Sequence, residues 1–340
     1  MRLGAMENFI AGLPKAELHL HIEGTLEPEL MLTLAKRNKI KLPFHSIEEI
    51  YQAYQFQDLV SFLKIYYQTA NVLIQEQDFY DLTFTFLQKA KKQNIRHIEI
   101  FFDPQTHTKR GIRFDTVIQG LRRALIDGQK QLGISSHIIM CFLRDLSVDS
   151  AAETLQCALP FKDWIIAVGL DSAERGQPPR KFTKIFSEAR KYGFLTVAHA
   201  GEEGPPEYIW EALEELKVKR IDHGVRCLED PLLVRALIKR EIPLTVCPLS
   251  NVKLHVFKTI AQLPIKKMFD KGLRVTINSD DPAFFNGYIN ENFSAVADAF
   301  NFSKQDLYQL AKNSFLASFI SDIERKQFIN ELDNYFTLFQ

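Results

Sequence analysis

Residues 16–22 read Ala-Glu-Leu-His-Leu-His-Ile, an apolar run that carries two histidines two positions apart. Successive side chains of a β-strand point to opposite faces, so His19 and His21 project from the same face. Working outward, short apolar or β-branched runs recur at 96–102, 137–143, 165–171, 195–199, 220–223, 243–247 and 273–278. Amphipathic helical stretches separate them. Strands alternating with helices make parallel βα units, and eight such units close into a (β/α)8 barrel of the TIM type.

Two regions exceed a minimal barrel. Segments 26–37 and 59–90, after the first strand, are helical in pattern, with Phe62, Leu63, Tyr66 and Tyr67 at helical spacing. The C-terminal tail, 290–340, is helical as well. Both regions are expected to be packing elements. Helices inserted after the first strand would also lie near the barrel mouth, where they could cover it. No repeat, low-complexity tract or Gly/Ser/Pro-rich linker divides the chain, so residues 1–340 are expected to form one barrel domain.

Composition narrows the function classes. Hydrophobic residues make up 46% and charged residues 25% of the 340, the balance of a soluble globular protein. With 42 basic and 42 acidic residues the net charge is +0, which gives no reason to expect a nucleic-acid partner. Cys141, Cys157, Cys227 and Cys247 form no C-x-x-C pair, so they are expected to be free thiols of a reducing cytoplasm. The first fifteen residues lack the apolar core of a signal peptide, and runs such as 138–143 are too short to span a bilayer. A cytoplasmic chain without a membrane partner is therefore expected.

Two neutral imidazoles on rigid backbone suit Zn2+ or a similar transition metal. An isolated H-x-H also fits two polar residues satisfied by their neighbours. Three further clusters add to it: His199-Ala-Gly-Glu202, Asp222-His223-Gly224 and Ser279-Asp280-Asp281-Pro282. Each alone fits a turn or cap; Asp280 or Asp281 could cap a helix. All of them fall at the C-terminal ends of inferred strands, where barrel enzymes keep their catalytic groups. His45 and His255 sit in polar or helical surroundings, and His97, His107 and His137 start or flank strands. Surface or packing roles are expected for these five, with His107 singled out because its loop lies at the active face.

The runs PKAELHLHIEGTLEPE, VAHAGEEG, RIDHGVR, VCPLSNVKL and INSDDPAFF span Pro14 to Phe285. In their order and spacing they resemble the signature segments of the adenosine/adenine deaminase family. The resemblance implies a (β/α)8 barrel and hydrolysis of an aminopurine with one zinc ion per chain. It implies His19, His21, His199 and Asp280 as metal ligands, and Glu202 as proton donor to the ring. His223 matches the histidine beside the metal-bound water, and Asp281 a substrate contact. The chemistry agrees: an aromatic C–NH2 bond resists water, and a zinc site supplies a stronger nucleophile at neutral pH.

Within that family, Glu23 stands where nucleoside deaminases usually carry an aspartate that holds ribose, and Glu174 where they carry a glycine. Runs 101–108 and 279–293 resemble those of bacterial and fungal adenine deaminases. The resemblance therefore implies that adenine is converted to hypoxanthine and ammonia, as in purine salvage. Glu23 and Glu174 are expected on the ribose side of the pocket, with Glu174 accepting a hydrogen bond from the imidazole N–H of free adenine. Alternatives are an adenosine deaminase with unusual loops and a deaminase of an N6-modified adenine or its nucleotide. A non-catalytic metal-binding signalling or structural protein would be expected to have lost a ligand or Glu202, and none is lost.

Overall fold

The computed structural model describes residues 4–339. Among these, eight strands stand side by side in chain order. They are β1 (Lys15–His21), β2 (Ile95–Phe102), β3 (Ser135–Leu143), β4 (Ile165–Asp171), β5 (Leu195–Ala200), β6 (Arg220–His223), β7 (Leu244–Val246) and β8 (Val275–Ile277). Every successive pair is parallel. A parallel bridge from Leu20 to Asp280 brings the last strand back to the first. The (β/α)8 barrel expected from the sequence is the fold.

β8 is only three residues long, so the seam needs help. The Asp280 carbonyl accepts from His21 N at 3.0 Å, and Asp280 N donates to the His19 carbonyl at 3.1 Å. Below them, Leu18 N donates to Asn278 Oδ1 at 2.9 Å. The helix Lys304–Ala317 staples the seam from outside: Ser314 Oγ accepts from Ala16 N, and Asn313 Nδ2 donates to the Val275 carbonyl, each at 2.9 Å. The C-terminal tail is thus a packing element, as its pattern predicts. Lower in the lumen, Arg220 Nη1 donates to Glu99 Oε2 at 2.6 Å. Burial alone would raise the Glu99 carboxyl, but Arg220 and His97 outweigh it and hold it at about 2.

Of the inserted helices, Leu59–Thr69 matters most. Asp58 caps it by accepting from Ser61 N at 2.8 Å, and the Ser61 hydroxyl accepts in return from Asp58 N at 3.1 Å. Leu59, Phe62, Tyr66 and Thr69 are buried at intervals of three and four residues, one face of the helix. That face lies over the C-terminal ends of the strands: Leu59, Phe62, Leu63, Tyr66 and Tyr67 line the same cavity as the strand-end histidines. Covering the mouth, foreseen as an option for these helices, is what this one does. Among the described residues no helix is long and apolar enough to cross a membrane, and all four cysteines are free thiols.

Candidate active site

The barrel brings the nominated donors together. His19 and His21 come from β1, His199 from β5 and Asp280 from the turn after β8. One donor atom from each lies within 4.8 Å of the others. His19 Nε2 and His21 Nε2 stand 3.2 and 3.3 Å from Asp280 Oδ1, and His21 Nε2 stands 3.2 Å from His199 Nε2. A tetrahedral ion with bonds of about 2.0–2.1 Å has ligand–ligand edges of about 3.3–3.4 Å. The set fits such an ion, and His19 Nε2, fully buried, has no hydrogen-bond partner.

The opposite ring nitrogens face polar groups, as ligating histidines require. His19 Nδ1 meets Thr245 Oγ1 at 2.8 Å, and His21 Nδ1 faces Asp171 Oδ2 at 3.5 Å. His199 Nδ1 faces Asp222 Oδ2 at 3.8 Å. This is a buried His/His/His/Asp metal-binding cluster. Cys247 lies close to His19 and Asp280. Burial pushes its thiol well above the usual range.

Asp280 and His223 both take left-handed backbone, with φ of 66° and 65°. Non-glycine residues adopt this region at a cost and are concentrated at functional sites. The bend turns each side chain into the mouth. His223 Nε2 stands 3.8 Å from Asp280 Oδ2 and 3.4 Å from Glu202 Oε2. Asn251 Nδ2, from the short helix Pro248–Lys253 after β7, reaches Glu202 Oε1 at 3.5 Å. Burial raises the Glu202 carboxyl well above its ordinary range, and the nearby Asp280 and Glu174 raise it further. Asp281 lines the same cavity, and its buried Oδ1 has no partner.

The free space in the cavity is about 30 Å3. A larger hollow of about 500 Å3 lies around Ser135, His137, Ile165 and Phe194, at the N-terminal ends of β3 to β5. In barrels that end serves stability rather than chemistry, and the nominated residues are at the other end.

Comparison with known proteins agrees with this geometry. Residues 14–335 match the adenosine deaminase family. The chain belongs to the adenosine deaminase family. It is 58% identical over 330 residues to the adenine deaminase of Hahella chejuensis, covering 97% of this chain and 99% of the relative. It superposes on the crystal structure of adenine deaminase from Arthrobacter aurescens with a TM-score of 0.94 and 47% identity, covering 96% and 99% of the two chains. An amidohydrolase from Burkhoderia ambifaria, solved with bound Zn, matches with a TM-score of 0.90 and 26% identity, covering 99% and 96%.

Two expectations for this member of the adenosine deaminase family need correction. Neither Glu23 nor Glu174 lines the cavity. Glu23 Oε1 accepts from His107 Nε2 at 2.8 Å and from Asp103 N at 3.2 Å, while Oε2 faces the Tyr66 hydroxyl at 3.5 Å. Glu174 accepts from four backbone N–H groups, those of residues 201 to 204. Three of these donors meet Oε2 and one meets Oε1, so the carboxylate is directed at the turn and not into the cavity. His107, expected to be a packing or surface residue, is fully buried and is what turns Glu23 away from the cavity.

Sequence reasoning gave no role to Asp103, Asp171, Asp222 or Thr245. Asp103 and Asp171 line the cavity, and Asp222 and Thr245 back the histidines. Asp103, Asp171 and Asp222 each stand at or just past a strand end. The position was the available signal.

Proposed function

We propose that the chain is an adenine deaminase, a single-domain hydrolase that converts adenine and water to hypoxanthine and ammonia with one zinc ion per chain. The observation that carries this reading is end-to-end identity of 58% to a protein named adenine deaminase. The convergence of six nominated residues on one covered cavity, with His19 behind them in the metal cluster, supplies the chemistry. His19, His21, His199 and Asp280 would hold the zinc, which when bound lowers the pKa of water and so supplies a nucleophile at neutral pH.

The remaining steps belong to side chains. Glu202, kept protonated by burial, donates its proton to ring N1 and draws electron density away from C6, where water adds. His223 accepts the proton of the attacking water at Nε2. Burial and the neighbouring His19 depress its imidazole to about 3, so it is neutral before water binds. Asp281 meets the purine through Oδ1. The four-bonded C6 then collapses: its amino group takes the proton held by His223, ammonia leaves, and the C6 hydroxyl returns a proton to Glu202. Phe62, Tyr66 and Tyr67 cover the ring and exclude bulk water.

Incubation of the metal-replete protein with adenine tests the reading. Hypoxanthine and ammonia should form in equal amounts, and absence of hypoxanthine would remove it.

A further inference from the structure

Four consecutive backbone N–H groups in the turn after β5 point at one carboxylate. Gly201 N donates to Glu174 Oε1 at 2.7 Å, and Glu202, Glu203 and Gly204 donate to Oε2 at 3.1, 2.8 and 2.8 Å. We propose that Glu174 is a positioning residue: it gathers the turn of residues 201–204 and thereby fixes where the Glu202 carboxyl stands in the cavity.

The turn is shaped for this contact. Gly201 has a φ of 73°, a left-handed conformation that L side chains rarely take. A Cβ on Gly204 would come within 2.5 Å of Glu174 Oε1, so a side chain there would push the carboxylate away. The N–H dipoles form a concave nest of the kind that holds anions, here filled by the protein's own carboxylate. Glu174 is buried, with both carboxylate oxygens turned to the 201–204 segment, and it is absent from the cavity wall.

A second brace runs beside the first. Arg144, fully buried, donates from Nη1 to the carbonyl of His199 at 2.7 Å. Its Nε and Nη2 donate to the carbonyl of Gln177 at 2.9 and 2.7 Å, while Gln177 N donates to the carbonyl of Glu174 at 3.1 Å. The loops after β3 and β4, joined through Arg144 and Gln177, therefore hold both ends of the segment from His199 to Gly204. The proton donor is registered against the metal cluster by groups that touch neither substrate nor metal.

The inference rests on the role proposed for Glu202, and a double-mutant cycle separates the two. Glu174→Gln keeps the shape but replaces one acceptor oxygen with an NH2 group that faces N–H groups. It should lower kcat for adenine by about tenfold or more, since small misplacements of reacting groups are costly. KM should stay within about threefold, with metal content unchanged. In a Glu202→Gln background the same change should alter kcat by less than about twofold, because there is no longer a proton donor to misplace.

A normal kcat in Glu174→Gln, or an equal loss in both backgrounds, would overturn the proposal. A normal kcat in Glu202→Gln alone would instead remove the proton-donor role. Should the variants not fold, hydrogen exchange on the wild-type holoenzyme decides: amides 202–204 should exchange slowly, and rapid exchange there would overturn the proposal.

Discussion

A methyl group on Gly24 would lie 2.0 Å from Oδ1 of Asp281. The short helical turn Glu23–Thr25, directly after β1, thus leaves space for a carboxylate arriving from the turn after β8. Gly24→Ala should push the Asp281 side chain and backbone out of place, and metal content reads whether the adjacent Asp280 moves with them. The expected outcome is a fall in kcat/KM for adenine of about tenfold or more, with a stability loss of about 1–3 kcal/mol from overpacking. Steady-state kinetics and a denaturant titration read the two effects, and an unchanged kcat/KM would show that Asp281 does not touch substrate.

The metal cluster makes a second prediction. Protein purified without added metal should contain about one equivalent of zinc per chain, as expected for one catalytic site. Activity should vanish on chelation and return with zinc. Asp222→Asn leaves His199 without its carboxylate neighbour and should weaken metal affinity by about 10–100-fold. Chelator-treated, metal-free protein that keeps full activity would dismiss the cluster's role.

Chemistry and binding separate at Glu202. Glu202→Gln preserves the shape but removes the proton that N1 needs, so kcat should fall by about 100-fold or more with zinc retained. His223→Ala should act in the same direction by removing the acceptor for the water's proton. Turnover near normal in either variant would exclude that residue from the mechanism.

Asp103 lines the cavity that Glu174 does not reach. Its Oδ1 is buried without a hydrogen-bond partner in a residue that lines the cavity. Burial and the adjacent Asp171 raise its carboxyl well above the usual range, which leaves a neutral group with a free acceptor oxygen. Free adenine has an imidazole N–H to offer, and adenosine carries ribose instead. Asp103→Ala should lower kcat/KM for adenine by about 10–100-fold and narrow its lead over adenosine. An unchanged ratio between the two substrates would place selectivity elsewhere.

Much of this was legible in the sequence because barrel enzymes tie chemistry to strand ends. His19 and His21 share a face by strand geometry alone, and His199, His223 and Asp280 follow runs whose apolar character marks them as strands. The strand runs read from the sequence lie within two residues of the observed elements. What could not be read depends on contacts between distant segments. Asp171 and Asp222 acquire meaning only when β4 and β6 stand beside the histidines of β1 and β5. Glu174 was misassigned because residue type shows an acceptor but not what occupies it. Four backbone N–H groups do, and they become visible only when the turn 201–204 is folded.

The central claim is tested most directly by kcat/KM for adenine and adenosine, measured side by side as ammonia release at subsaturating concentration. Both carry the same amino group at C6, so zinc, Glu202 and His223 cannot tell them apart. A site that needs the ring N–H can reject an analogue lacking it by factors of about 10,000, and even an imperfect version should favour adenine by at least about 100-fold. The account predicts that ratio. Equal or faster turnover of adenosine would contradict it.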